Sequence, residues 1–133
     1  MPLGERHFGP YRARTIVDAS FALDGGAMFG VVPRPLWERV AAPDGRNRIA
    51  LVTRLLYLEG EGRRILVDTG FGDRWDAKRR DIFAIESRDG GVVAALGRRG
   101  VEPDQITDVV LTHLHFDHAA GTTYRGQDGE LQL

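Results

Sequence analysis

The sequence has no cysteine among its 133 residues. Disulfide bonds and thiolate metal sites are therefore excluded, and imidazole and carboxylate groups remain as the strong metal ligands. Long hydrophobic runs are also missing: the most apolar stretch, IALVTRLLYL at 49–58, is too short to cross a bilayer and contains Arg54. The first residues, MPLGERHFGPYRAR, lack the apolar core of a signal peptide. These features predict a cytoplasmic protein without a membrane partner.

The charge pattern offers no surface for nucleic acid. Net charge is −1, and the basic residues, all arginine except Lys78, are scattered among 19 acids. No basic stripe results, so a nucleic-acid partner is not expected. Apolar residues make up 42% of the chain and charged residues 28%, which is ordinary for a folded globular protein. We expect residues 1–133 to form a single domain.

Three segments in the first two-thirds of the chain show clear local patterns. Residues 14–23, RTIVDASFAL, predict a strand that ends in a turn at 24–26, followed by a partly extended apolar loop over 27–32. Residues 49–58 and 63–68 predict an antiparallel hairpin with the four-residue loop EGEG. The charged stretch GDRWDAKRRD at 72–81 predicts a surface loop with a short helix.

A βαβ unit is predicted next. Helical spacing of Val92, Val93 and Leu96, with Gly100 and Pro103 after them, predicts a helix near 91–99. TDVVL at 107–111 fits a short buried strand, which should pair in parallel with 63–68 through a right-handed crossover. Ligand-binding groups gather beyond the carboxyl ends of such strands. Asp68 and a histidine cluster therefore converge at one edge of the sheet.

The cluster is THLHFDHAAG at 112–121, which holds three of the four histidines. His113 and His115 are two apart, so on an extended segment both rings lie on one face and can chelate one ion, with Leu114 facing the core. Asp117 and His118 follow where the chain turns and suit a second ion. Imidazole with carboxylate favours zinc, with iron, manganese or cobalt as alternatives.

These residues carry a family resemblance. THLHFDHAAG matches the His-x-His-x-Asp-His signature of the metallo-β-lactamase superfamily, and LVDTG at 66–70 matches the strand-end motif that precedes it. DGGAMFGVVPRPLWER at 24–39 further resembles the N-terminal segment of the branch containing methyl parathion hydrolases and N-acyl homoserine lactonases. The resemblance implies an α/β fold, the N-terminal half of an αββα sandwich, with a mixed sheet. We therefore expect the domain to be incomplete at its C-terminus.

The activity implied by this resemblance is hydrolysis of an ester, lactone or phosphotriester bond in a small-molecule substrate by a metal-bound hydroxide. His113 and His115 would hold one of two zinc ions, and Asp117 and His118 the other. Asp117 would also relay a proton. The family's remaining ligands, a histidine for each ion and a bridging aspartate, would come from the missing half, in the same longer chain or another chain. A homodimer is one candidate.

Other residues have competing interpretations. Asp68 either accepts hydrogen bonds in its turn or, as the resemblance implies, orients a ligand histidine. Met28 and Phe29, beside two glycines, are candidates for a substrate pocket, whereas Trp37 is expected to pack in the core. His7 stands alone in a polar stretch and is not assigned to metal.

Two rival classes and one alternative function stay open at this stage. Asp68-Thr69-Gly70 also fits the catalytic loop of small dimeric aspartic proteases, but these are almost wholly β and would leave the histidines unexplained. Flavodiiron-type redox proteins have glutamate where this chain has His115. A metal-binding module without turnover is the principal alternative function.

Overall fold

The computed structural model describes residues 4–87, 90–126 and 128–132. Within these ranges the chain forms a mixed sheet with short helices, together with a small two-stranded ribbon. The elements are β1 (Arg6–Phe8), β2 (Tyr11–Asp24), α1 (Gly25–Phe29), α2 (Arg34–Trp37), β3 (Arg48–Gly60), β4 (Arg63–Val67), α3 (Ala77–Phe83), β5 (Glu86–Ser87), α4 (Gly91–Gly97), β6 (Asp108–Val110), α5 (Phe116–Ala119), β7 (Tyr124–Arg125) and β8 (Leu131–Gln132).

The main sheet has the strand order β1-β2-β3-β4-β6, and β5 pairs with β2. Its neighbouring strands are antiparallel except β4 and β6, which pair in parallel with Leu66 opposite Val109. The chain passes from β4 through α3, β5 and α4 before it enters β6. The predicted α/β class, mixed sheet and βαβ unit are therefore confirmed.

The predicted hairpin forms, but with a tighter turn than expected. Gly60 pairs with Arg63, so two residues rather than four connect β3 to β4. Both have positive φ, 49° at Glu61 and 73° at Gly62. This is the backbone of the type I′ turn, whose twist matches that of the flanking strands. Strand β3 therefore extends two residues further into EGEG than the hydrophobic pattern predicts, while β4 begins at Arg63 as expected.

The region after β2 is helical, which corrects the prediction of a turn and an extended loop. The Asp24 carboxylate accepts a hydrogen bond from the Ala27 amide at 2.8 Å and so caps α1. Pro35 occupies the first turn of α2, where a missing amide hydrogen costs nothing. The cap provided by Asp24 and the position of Pro35 favour helices here, although the glycines and prolines of this region suggested a loop.

Helix α4 covers one face of the sheet. Strand β3 alternates between buried and exposed residues, as expected for a strand with one covered face. Burial of each large side chain there contributes roughly 1.5–3 kcal/mol. The buried residues of this cluster are Ile16, Leu55, Tyr57, Leu66, Val92, Ala95, Leu96 and Val101.

The opposite face of the sheet is only partly covered. Leu56 and Val67 are cross-strand partners on it, and both are half-buried. The two valines of β6 are each 48% exposed, so the prediction of a buried strand at 107–111 is wrong. Strand β6 is an edge strand, and β4 is its one partner among the described residues. None of the described helices is long and apolar enough to cross a bilayer.

The β3–β4 turn allows a direct test of backbone conformation. A Cβ at Gly62 would meet no atom within 4 Å, but its φ is positive. Gly62→Ala should therefore destabilise the fold by about 1–2 kcal/mol through backbone strain alone, measured by chemical denaturation. Gly45→Ala is the control, because Gly45 is equally open and does not have a positive φ. Equal stability of the two variants would contradict the assigned turn.

Candidate metal centre

The site lies where β4 and β6 end. The Asp68 amide donates to the Val110 carbonyl at 2.8 Å and continues the parallel pairing one residue past β4. This brings Asp68 beside Thr112, the first residue of the cluster segment. Its carboxylate accepts from the Thr112 amide at 2.8 Å and from the Thr112 hydroxyl at 2.9 Å. The convergence of the two strand ends is as predicted.

Asp68 also holds His118. Its Oδ2 lies 2.7 Å from His118 Nδ1, and the carboxylate residue is 6% exposed. Burial alone would raise the pKa of Asp68, but hydrogen bonds from His118 and Thr112 outweigh burial and keep that pKa below its usual value. The ionised carboxylate is an acceptor only, so His118 must carry its hydrogen on Nδ1. The other ring nitrogen, Nε2, is then available as a ligand.

That nitrogen faces a second carboxylate. His118 Nε2 lies 3.3 Å from Asp117 Oδ2, and both residues are on α5. With Nδ1 protonated, a neutral ring would present a lone pair to this oxygen, and two acceptors at such a distance repel unless a cation or a proton joins them. Two zinc ligands in a tetrahedral shell are also about 3.3 Å apart, given bonds of roughly 2.0–2.1 Å. Asp117 and His118 therefore fit a shared divalent ion.

The remaining histidines lie against this pair on an exposed loop. The ring centres of His113 and His115 are 4.6 Å apart, and those of His113 and His118 are 4.0 Å apart. Leu114, between the first two, is 80% exposed, so the prediction that it faces the core is wrong. The segment has left the sheet by this point and no longer alternates between a core face and a solvent face. Across residues 4–87, 90–126 and 128–132, no three His, Asp or Glu side chains surround one point.

Backbone contacts fasten the loop after β4 to α5. The Thr69 amide donates to the His118 carbonyl at 2.7 Å, and the Gly121 amide donates to the Gly70 carbonyl at 3.0 Å. The Thr69 hydroxyl lies 3.1 Å from that of Thr122. A side chain at Gly121 would collide with the Thr69 carbonyl, so this close approach requires glycine. The position of His118 is thus set by main chain as well as by Asp68.

An aromatic wall stands beside the cluster. Phe116 packs on Phe71, Trp75 and Phe83, with ring centres 5.7, 5.6 and 5.1 Å away respectively. Trp75 Nε1 donates to the Phe71 carbonyl, which fixes the indole within the wall. A groove of about 300 Å³ adjoins it, lined by Phe71, Arg74, Trp75, Arg79, Phe116 and Ala120.

The other singled-out residues lie elsewhere. Phe29 stacks on Trp37 with ring centres 5.2 Å apart, and Trp37 is buried as expected. Met28 is 47% exposed on α1, which follows the end of β2 that pairs with Arg48. That end is well beyond Leu56, the partner of Val67, so the structure does not bring Met28 and Phe29 into the histidine cluster. His7 lies on β1 next to Glu5.

Sequence reasoning missed two polar residues that support the site. Thr112 contacts Asp68 and His113, and its position directly before the first histidine was the available signal. Asp18 is 2% exposed and accepts from the Phe71 amide at 2.9 Å. Its signal was a single acid within the apolar strand RTIVDASFAL. The partner of that acid is far away in sequence, so the pattern alone could not identify it.

Comparisons with known proteins point to one family. The family model of the metallo-beta-lactamase superfamily matches residues 51–124, more than half of the chain. A probable metallo-hydrolase of Mycobacterium tuberculosis is 35% identical over 80 residues, which are 55% of this chain and 26% of that protein. A Mycobacterium bovis protein of the same description matches equally. The chain thus spans about a quarter of these relatives.

Solved structures extend the likeness to the fold. A probable metal-dependent hydrolase from Staphylococcus aureus is 32% identical with a TM-score of 0.80, over 90% of this chain and 43% of that one. AidC, a dizinc quorum-quenching lactonase, is 21% identical with a TM-score of 0.66, over 92% of this chain and 39% of that one. At this identity the likeness to AidC concerns the fold alone.

Because Asp68 accepts a hydrogen bond from His118, removing the charge of Asp68 should affect metal binding by that histidine. Asp68→Asn should weaken zinc binding by about ten- to a hundredfold, because the ligand loses the carboxylate that fixes its tautomer. Competition titration with a chelating dye measures this. Asp76→Asn, at the exposed cap of α3, is the matched control and should leave the affinity unchanged. If Asp68→Asn lowered only thermal stability, its role would be confined to the turn.

Because His115 is exposed, its removal should affect metal binding without affecting the stability of the fold. His115→Ala should lower the amount of metal bound and leave the thermal midpoint unchanged, because the ring is on a solvent-facing loop. His7→Ala removes an equally exposed histidine from β1 and serves as the control. Equilibrium dialysis against a fixed zinc concentration, high enough for the unaltered chain to bind metal, gives the first quantity, and thermal denaturation gives the second. Unchanged metal content in His115→Ala would refute the ligand role.

Proposed function

This chain belongs to the metallo-β-lactamase superfamily, and on that premise we propose that it forms one part of a metal-dependent hydrolase centre. The observation that supports the proposal is the contact of His118 with two carboxylates, those of Asp68 and Asp117. One ring nitrogen of His118 is held by a buried carboxylate and the other faces a second carboxylate. A divalent cation resolves the repulsion on the second side.

The donors divide into two pairs. Asp117 and His118 would hold one ion, and His113 with His115, whose ring centres are 4.6 Å apart, would hold the other. Zinc suits this donor set, and iron, manganese or cobalt also accept imidazole and carboxylate. Such ions supply a nucleophile at neutral pH, since they lower the pKa of bound water, and they polarise the bond to be cleaved.

The protein's own groups would orient the substrate and transfer protons during the reaction. Asp117 is the proposed catalytic carboxylate: one of its oxygens faces His118, and the other would take a proton from the attacking water or pass one to the leaving group. The aromatic wall around Phe116 excludes water on one side of the cluster. The adjoining groove would take the apolar part of a small ester, lactone or phosphotriester substrate.

Further polypeptide is part of the proposal. Two donors for each ion are fewer than the three or four that zinc sites in proteins use. The chain spans 43% of the Staphylococcus aureus hydrolase, and one face of its sheet is half-covered. We propose that residues 1–133 are one incomplete domain, completed by a segment of the same longer chain, by another chain or by a second copy. The cytoplasmic location stays a prediction from the sequence.

A metal-binding module without turnover is the second candidate. The observation that favours it is the pairing of donors, which permits an ion to bind without the full set of groups that a reaction requires. The two candidates differ in one measurable way. The hydrolase cleaves some member of a panel of esters, lactones and phosphotriesters once completed, whereas the module binds metal and cleaves none.

The isolated chain should hold metal poorly. After dialysis against metal-free buffer, we expect less than one tightly bound ion per 133-residue chain and no efficient hydrolysis, because half-filled sites bind weakly. Elemental analysis and the substrate panel, with zinc added back, measure both. Intact and native mass then show whether a longer chain or an assembly carries the activity. Two tightly held ions per monomeric 133-residue chain would overturn the incomplete-site proposal, and a completed assembly inactive on every substrate would overturn the hydrolase.

A further inference from the structure

Asp18 is a buried carboxylate at an irregular point of β2. The pairing of β2 with β3 shifts register between Val17 and Ala19, which pair with Arg54 and Thr53. Asp18 is therefore the extra residue of a β-bulge. Bulges re-aim a side chain and occur near functional sites. Here the bulge turns a carboxylate inward, where it is 2% exposed.

The partners of Asp18 are backbone amides of other elements. Its Oδ2 accepts from the Phe71 amide at 2.9 Å and lies 3.5 Å from the Thr53 hydroxyl. Burial raises the pKa of Asp18, and the Val92 amide at the start of α4 is one of the groups that lower it. Asp18 thus ties β2 to the loop after β4 and to α4. Among the described residues no Lys, Arg or His side chain pairs with Asp18, so these polar contacts offset the cost of burying its carboxylate.

Two glycines leave room for this carboxylate. A side chain at Gly70 would collide with the carboxylate of Asp18, and a Cβ at Gly91 would lie 3.5 Å from Oδ1. Gly70 belongs to the same four-residue loop, 68–71, that carries Asp68. Because this loop is so short, a shift of Phe71 at one end would also shift Asp68 at the other. The contact of Asp18 with Phe71 is therefore coupled to the contact of Asp68 with His118.

We propose that Asp18 is a positioning residue for the metal centre: through loop 68–71 it fixes Asp68, which in turn fixes the ring of His118. The loop is clamped on its other side by the Thr69 amide, which donates to the His118 carbonyl at 2.7 Å. Asp18 touches neither metal nor substrate. The ligand role of His118 belongs to the proposed function, on which this inference rests.

The test is Asp18→Asn in the metal-free chain. Asparagine has the same shape, but it is uncharged and replaces one carboxylate oxygen with an NH2 donor, which weakens the acceptor that the Phe71 amide and the Thr53 hydroxyl share. Long-range proton–nitrogen NMR of the histidine rings should show His118 losing its single Nδ1–H tautomer. Its Nδ1–H should also exchange faster with solvent, because Asp68 no longer holds that hydrogen in one place.

The control is Ile16→Ala, which removes a buried side chain from the same strand and the same face. It should lower thermal stability and leave the His118 ring signals unchanged. An unchanged His118 tautomer in Asp18→Asn, or the same change in Ile16→Ala, would overturn the proposal. Because no metal is present, this result does not depend on whether the hydrolase proposal holds.

A measurement on the unaltered chain decides the matter if Asp18→Asn does not fold. Native-state hydrogen exchange should show the amides of Phe71, Thr69 and Thr112 opening as one unit, with the same dependence on denaturant. Each reports one link from Asp18 to the cluster. If the Phe71 amide opened alone while Thr69 and Thr112 stayed protected, the loop would not transmit the constraint and the inference would be wrong.

Discussion

Parallel pairing of β4 with β6 is the constraint on which the site depends. The ladder runs from Ile65 opposite Asp108 to Val67 opposite Val110, and the Asp68 amide extends it to the Val110 carbonyl. Both strands therefore stop at the same level, where Asp68 directly follows β4 and Thr112 follows β6 after Leu111. An antiparallel arrangement would put the two strand ends at opposite edges. The helix α4 lies on the buried face and leaves this edge open.

The conformation of Asp68 shows what holds the site together. Its φ is 61°, a value that non-glycine residues rarely adopt and that costs about 1–3 kcal/mol. Its ionised side chain accepts from the Thr112 amide, the Thr112 hydroxyl and His118 Nδ1. Hydrogen bonds to a charged group contribute roughly 1.5–3 kcal/mol each, so three of them outweigh the strain. The strained turn persists because the functional contacts stabilise it.

Sequence patterns predicted the parts of this protein that repeat with a regular period. The βαβ unit and the hairpin followed from runs of apolar residues, and the cluster at 112–121 from the density of its histidines. Predictions were wrong where apolar residues did not mark a buried segment. Leu114 is apolar yet exposed, because the segment has left the sheet, and the valines of β6 are half-exposed because β6 is an edge strand. Asp18 stood out as a single acid in an apolar strand, but the pattern could not identify its partner Phe71, which is brought near only by the fold.

The partly covered face of the sheet lies next to the two proposed pairs of metal donors. Val67 directly precedes Asp68, and Val110 is two residues before Thr112, so the half-covered apolar face ends where the cluster begins. Apolar area of this kind gains free energy from any segment that covers it. A segment packed there would reach the edge that carries His113 and His118. Covering the sheet and completing the proposed metal shell would then be a single event, because His118, the proposed ligand, is already oriented by Asp68 and need not be ordered by the ion.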